Sequence, residues 1–365
     1  MNDCLYHAGK TDIIMETKQV GRCYGSRWAL KDCSLRLKQG SFTVIVGPSG
    51  SGKTTLLHLL AGLTSCSEGE IWMRGKRVDT LPAKQRNVAV VFQEPALFPY
   101  MNVEENIAFG SSDKDRIHLS KRARETAQLL ELDGLLKQRA DRLSGGEKQR
   151  TAIGRALMKN ADIILMDEPF SALDAPLKQS LGERLRRLQQ KLHLTILYVT
   201  HDQQEAMRLA DHLVVMNEGK LIQQGTVCSV YEHPSHVFCA KFIGNPPMNL
   251  IPAVMDDHYL CIGSSVIPLP ACLKKCGERR RLLIGVRAHQ LHYGEGWGYA
   301  KTVETQFDGD RTKVLIEWEQ QKLYVLMKGD SMIPSHGGIY FDLDESIYFD
   351  AETGCPLVLR DRQGS

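Results

Sequence analysis

The sequence predicts two domains: an α/β domain with a helical subdomain over residues 13–244, then a small all-β barrel over residues 245–365. Three observations predict this. Apolar strands alternate with amphipathic helices up to about residue 244. Two of those strands, Ile163–Met166 and Ile196–Val199, are unbroken apolar runs of the kind buried on both faces of a parallel sheet. After Gly244-Asn245-Pro246-Pro247 the chain turns strand-rich, punctuated by Gly294, Gly296, Gly298 and Gly309.

In chain order, the first element that carries chemistry is Phe42-Thr43-Val44-Ile45-Val46, a compact β-branched strand. It runs into Gly47-Pro48-Ser49-Gly50-Ser51-Gly52-Lys53-Thr54, then Thr55 and a helix to about Leu63 whose apolar side is Leu56, Leu57, Leu59, Leu60 and Leu63. Strand, glycine loop and helix in that order form a phosphate-binding loop. Its glycines let backbone N–H groups converge on phosphate oxygens, and the helix N-terminus adds partial positive charge. Residues Gly47 to Thr55 are therefore expected to cradle ATP. Lys53 should reach the β and γ phosphates, and the Thr54 hydroxyl should bind Mg²⁺.

The strand Ile163–Met166 ends in Asp167-Glu168, which puts two carboxylates at the edge where α/β sheets place ligands. Asp167 suits Mg²⁺, and Glu168 suits polarising an attacking water. Between the two lies Leu143-Ser144-Gly145-Gly146-Glu147, opening a helix over Lys148–Leu157. Ser144 can cap that helix, with Glu147 three residues later completing a capping box. A helix N-terminus with two glycines is also a second anion site. With one phosphate loop already holding the nucleotide, this second site is expected to meet the γ-phosphate of ATP bound to another chain. One of each per chain implies a head-to-tail dimer enclosing two ATP molecules.

The succession of phosphate loop, Gln93 after the strand Val88–Phe92, Leu143–Glu147, Asp167-Glu168, Ser171-Ala172-Leu173-Asp174 and Val199-Thr200-His201-Asp202 resembles the ATP-binding cassette ATPases, over about residues 13–244. The resemblance implies roles residue by residue. Gln93 senses Mg²⁺ and couples to membrane subunits, Asp174 touches the opposite monomer, and His201 contacts the γ-phosphate. Ser144, Gly145, Gly146 and Glu147 complete the site in trans. Glu147 stands where the family usually has glutamine, with Lys148 and Arg150 expected to offset its charge. The family stacks an aromatic on adenine about 25 residues before the phosphate loop; Tyr24 lies there, with Trp28 as a competitor and strand-edge packing as the plain alternative.

Spacing narrows the branch. The stretch from Lys53 to Ser144 has room for a helical subdomain, about 95–155, but not for the long coiled coil of DNA-repair members. There is one set of motifs, unlike the translation-linked members. No apolar run approaches the ~20 residues that span a bilayer, and Met1 to Lys10 is polar, unlike a signal peptide. The expectation is a cytoplasmic protein, peripheral on the inner membrane, paired with two integral permease subunits and, indirectly, an extracytoplasmic solute-binding protein. The apolar, proline-kinked segment Glu94–Met101 is where the family receives a helix from the permease.

The junction Ala240–Leu250 and the strand Leu283–Arg287 resemble importer ATPases of the maltose and glycerol-phosphate type, whose tail is an oligonucleotide-fold-like regulatory domain. The tail strands Arg281–Val286, Thr312–Trp318 and Lys322–Met327 fit that fold. The resemblance implies an importer ATPase for a sugar, glycerol phosphate or similar polar solute. An anion or ferric iron importer remains open, as does a non-transport regulatory cassette. With 46 basic and 43 acidic residues, net charge +3, and no basic aromatic face, there is no case for nucleic-acid binding. Ten scattered cysteines include Cys272 and Cys276, but no further pair completes a zinc set.

Overall fold

Residues 13–111, 113, 115–256, 258–270, 273, 279–329 and 331–357 are described by the computed structural model. Cys272, Cys276 and the segment Met1–Lys10 lie outside them. The first unit runs β1 (Ile13–Tyr24), β2 (Arg27–Cys33), β3 (Arg36–Lys38), β4 (Phe42–Val46), α1 (Lys53–Ala61), β5 (Glu68–Met73), β6 (Lys76–Arg77) and β7 (Val88–Val91). It continues through α2 (Val103–Ala108), α3 (Arg116–Leu129), α4 (Gly145–Met158), β8 (Ile163–Asp167), α5 (Ala175–Leu192), β9 (Ile196–Thr200), α6 (Gln203–Leu209), β10 (His212–Asn217) and β11 (Lys220–Thr226).

Strands β10, β4, β9, β8 and β7 pair in parallel in that order, with β11 antiparallel at the edge. Every residue of β4, β8 and β9 is buried, which is why their sequences are mostly apolar, with Thr43, Asp167 and Thr200 as the polar exceptions. A second, antiparallel sheet runs β2-β1-β5-β6, with β3 on β1. Leu56, Leu57, Leu59 and Leu60 of α1 share one core with both sheets. That arrangement holds the phosphate-binding helix rigidly behind its loop. The helix ends earlier than the apolar pattern suggests: Gly62 adopts a left-handed cap at φ 74°, and Leu63 is left exposed.

Helices α2, α3 and α4 pack together as a small helical group. Glu104 is its joint. The carboxylate accepts hydrogen bonds from Lys137 first of all, then from Ser120 and Arg124 on α3, and these hold its pKa down at about 2 against burial.

The chain divides into two units between Val227 and Cys228. This is upstream of the compositional break at Gly244. The physical reason is that α7 (Val227–Glu232) and α8 (Val237–Phe242) are fastened to the β-rich unit by the buried Arg287, which donates to the carbonyls of Tyr231, Ala240 and Ile243. That second unit continues with β12 (Asn249–Met255), β13 (Tyr259–Ile262), β14 (Ser265–Pro268), β15 (Arg280–Val286), β16 (His292–Gly294), β17 (Trp297–Phe307), β18 (Arg311–Trp318), β19 (Gln321–Lys328), β20 (His336–Tyr340) and β21 (Ile347–Asp350). Two five-stranded antiparallel sheets, β14-β13-β12-β15-β21 and β16-β20-β17-β18-β19, close over one core that includes Trp318, Phe341 and Tyr348. In β18 the alternation is as the sequence predicts, with Val314, Ile316 and Trp318 buried.

Candidate functional site

The loop from Gly47 to Gly52 leaves the C-terminal end of β4 and turns into α1. Two of its glycines are obligatory here. A Cβ on Gly47 would lie 2.3 Å from the Met216 carbonyl, and Gly52 sits at φ 97° as the residue before the helix. Lys53 is buried, and its ammonium donates to the carbonyls of Gly47 (2.9 Å) and Pro48 (2.8 Å). Burial pulls its pKa down, against the charges of Glu168 and Asp167. The Ser51 hydroxyl is buried without a hydrogen-bond partner. A buried cation resting on backbone carbonyls beside an orphaned hydroxyl, at a helix N-terminus, is a site shaped for polyphosphate.

The acids close on this loop from the end of β8, one strand beyond β9 in the sheet. Thr54 Oγ1 donates to Asp167 Oδ1 at 3.3 Å. Burial raises the Asp167 pKa, and the charge of Glu168 adds to the rise while the Thr54 hydroxyl opposes it. A buried carboxylate held against a hydroxyl, next to a second carboxylate, has the donor set for Mg²⁺, whose charge would offset the burial cost. Glu168 Oε2 lies 3.0 Å from His201 Nδ1. Its backbone is in the left-handed region at φ 42°, a strained geometry for glutamate of the kind found at functional sites.

His201 itself is 56% exposed, but the chain on both sides of it is anchored. Glu205, 3% exposed, accepts from the hydroxyls of Tyr198 and Thr200 (2.6 Å to Thr200). Asp202 N donates to Thr200 Oγ1 at 3.0 Å. Lys178 of α5 reaches Asp202 at 3.0 Å and Glu205 at 3.3 Å. Burial works against the Lys178 charge, but Glu205 and Asp202 outweigh it and raise its pKa. Sequence reasoning passed over this network; a buried-strand Tyr and Thr followed by an acid on the next helix was its only trace.

A cavity of about 580 Å³ extends from the loop past Tyr24, Arg27, Trp28 and Ala29, with Gly50, Gly52, Lys53, Thr54 and Thr55 on its wall. Tyr24 is 52% and Trp28 42% exposed, on adjacent strands of the antiparallel sheet. Glu218 and Gly219 also line it, and sequence reasoning missed them. They form the β10–β11 turn, legible as a hairpin but not as a site neighbour. Gly219 N donates to Ser51 O, and Gly219 O accepts from Lys31 N, so the turn backs the phosphate loop.

The remaining candidates lie elsewhere on the unit. Ser144 caps α4 in the expected box: Glu147 N donates to Ser144 Oγ (3.4 Å) and Ser144 N donates to Glu147 Oε2 (2.8 Å). Asp174 caps α5, accepting from Leu177 N at 3.4 Å. Neither group lines the cavity. Gln93 is exposed, and the Gln149 side chain on α4 donates to the adjacent Phe92 carbonyl at 3.0 Å, tying this loop to the Ser144 helix. One expectation is corrected. Arg150 does not offset Glu147, because its guanidinium donates to the carbonyls of Leu130 and Glu131 at the end of α3.

Comparison with known proteins follows this geometry. The ABC transporter family profile matches residues 30–171. The sn-glycerol-3-phosphate import ATP-binding protein UgpC of Salmonella choleraesuis (strain SC-B67) is 40% identical over 341 residues, covering 90% of this chain and 95% of the relative. UgpC of Escherichia coli (strain K12) is 39% identical over the same shares. The dimeric structure of MJ0796, a bacterial ABC transporter cassette, superposes with a TM-score of 0.54 at 30% identity, covering 58% of this chain and 98% of that one. A post-hydrolysis dimer of MJ0796 bound to ADP and Pi gives a TM-score of 0.54 at 29% identity over the same shares.

Proposed function

The chain belongs to the ABC transporter family, and from that membership we propose that it binds and hydrolyses ATP to energise an importer for glycerol phosphate, a sugar or a similar polar solute. The observation that carries the proposal is the meeting of Lys53 and Thr54, on a loop that also holds the orphaned Ser51 hydroxyl, with Asp167 and the Glu168–His201 pair. Gly47, Pro48, Ser49, Gly50, Ser51, Gly52, Lys53, Thr54 and Thr55 hold the phosphates, and Tyr24 stacks on adenine. Thr54, Asp167 and Gln93 hold Mg²⁺, which when bound supplies positive charge to the terminal phosphates. Glu168 orients and polarises the attacking water, and His201 holds the γ-phosphate. Ser144, Gly145, Gly146, Glu147 and Asp174 act on the nucleotide of a second copy or a paired ATPase subunit. That a related cassette is a dimer, and one such dimer holds ADP and Pi, supports the arrangement.

Among the described residues no helix is long and apolar enough to cross a membrane. In the proposed assembly two permease subunits supply the channel, with an extracytoplasmic solute-binding protein beyond them and the ATPase peripheral on the cytoplasmic face. The exposed rings of Phe98, Tyr100 and Phe109, beside the Gln93 loop, offer the permease a foothold. The loop is held from within: the buried Asn106 bonds both the N–H and the carbonyl of Phe98, and Arg155 donates to Ala96 O. The residues after Gly244 serve as an oligonucleotide-fold-like regulatory or dimerising domain.

Deleting the gene and measuring uptake across a panel of glycerol phosphates, sugars, anions and ferric iron tests the assignment. Loss for glycerol phosphate or a sugar is expected; unchanged uptake across the panel counts against a transport role. Co-purification with ribosomes or DNA instead of permeases would favour the non-transport class.

A further inference from the structure

The aromatic platform has a brace behind it. The Arg22 guanidinium carbon lies 4.6 Å from the centroid of the Tyr24 ring. Tyr24 lines the nucleotide cavity and Arg22 does not. The guanidinium is itself fixed: Nη1 donates to the Ser65 carbonyl at 2.9 Å and to Ser65 Oγ at 3.3 Å. The strand between them is tied to the same segment, since Cys23 N donates to Ser67 Oγ and Ser67 N to Gly21 O. That segment follows α1, the helix that carries Lys53 and Thr54.

We propose that Arg22 is a positioning residue for purine recognition, bracing the Tyr24 ring so that its cavity-side face is presented to the adenine base. The proposal rests on the platform role given above to Tyr24. A half-exposed tyrosine ring at the end of a strand is otherwise free to rotate, and ordering it on binding costs conformational entropy. A planar guanidinium stacked on one face fixes the ring and polarises its π system, which favours an electron-rich purine on the other face. Because the guanidinium hangs from the segment behind α1, base and phosphates are gripped from one rigid frame.

Calorimetric titration of the full chain with Mg-ATP and with Mg-tripolyphosphate, which has the phosphates but no base, tests this. Arg22→Ala is expected to weaken ATP about two- to fivefold, the range of an exposed cation–π contact, and to leave tripolyphosphate binding unchanged. Arg22→Lys should recover part of the loss. In a Tyr24→Ala background, Arg22→Ala should cost nothing more. Unchanged ATP affinity in Arg22→Ala while Tyr24→Ala is impaired overturns the brace alone. Equal loss for both ligands makes Arg22 merely structural and also overturns it. Intact ATP affinity in Tyr24→Ala overturns brace and platform together.

Discussion

Glu168 is a glutamate held in the left-handed region, beside a histidine, at the end of a buried strand. A non-glycine backbone held there costs on the order of 1–3 kcal/mol, and the role proposed for Glu168 gives that cost a reason. Glu168→Gln is expected to keep ATP binding and trap a dimer while phosphate release falls by at least about 10²-fold; loss of binding in a folded variant would contradict the role. Lys53→Ala should weaken nucleotide binding itself, read by equilibrium titration, and a wild-type hydrolysis rate in that variant would remove the phosphate loop from the mechanism. Behind His201, Glu205→Ala leaves the Tyr198 and Thr200 hydroxyls without their acceptor and Lys178 with Asp202 alone. A loss of about 1–3 kcal/mol in denaturant unfolding is expected, and an unchanged midpoint would show the network to be idle. At this scale the residues with motif spacing were legible, Lys53, Thr54, Asp167, Glu168 and His201 among them. Glu205 and Lys178 were not, because their contact depends on how α5 and α6 pack, which no local spacing encodes.

Elements joined by short sequence separations were the legible ones. The box at Ser144 and Glu147 follows from a spacing of three, and the same box forms at Asn102 and Glu105 on α2. The expected strands β8 and β9 follow from the apolar runs Ile163–Met166 and Ile196–Val199, and β4 from its β-branched composition. Joints between elements were hidden. Arg150 was read as a local counter-charge but instead closes the end of α3. Glu104 fastens α2 to α3 through residues far from it in sequence. Its depressed pKa means that the joint contributes stability above the ordinary carboxylate value of 4.5 and loses it as pH falls from there toward about 2. Glu104→Gln should therefore destabilise the wild-type fold by about 1–3 kcal/mol at pH 7, with the gap to wild type closing near pH 2. A pH-independent gap would mean that the carboxylate charge is not what holds the joint.

Over the whole molecule, each chain carries one phosphate loop and one capped glycine-bearing helix, and the cavity is lined by the first without the second. That separation suits the proposed sandwich, in which the capped helix of a second ATPase subunit would complete the site. In the proposed assembly, nucleotide closure would be passed to permease subunits near Phe98 and Tyr100, because Gln149 and Arg155 on the Ser144 helix hold the Gln93 loop and its neighbour. The solute in that proposed assembly is contacted by the permeases and not by this chain, so no residue here encodes it. The most direct test is a structure of the Glu168→Gln protein with Mg-ATP. The expected result is a head-to-tail pair in which Ser144 Oγ of each copy lies within hydrogen-bond reach, about 3 Å, of the γ-phosphate held by Lys53 of the other. A nucleotide bound by one copy alone, with both Ser144 side chains remote from any phosphate, in a form whose wild-type counterpart hydrolyses ATP, would contradict it.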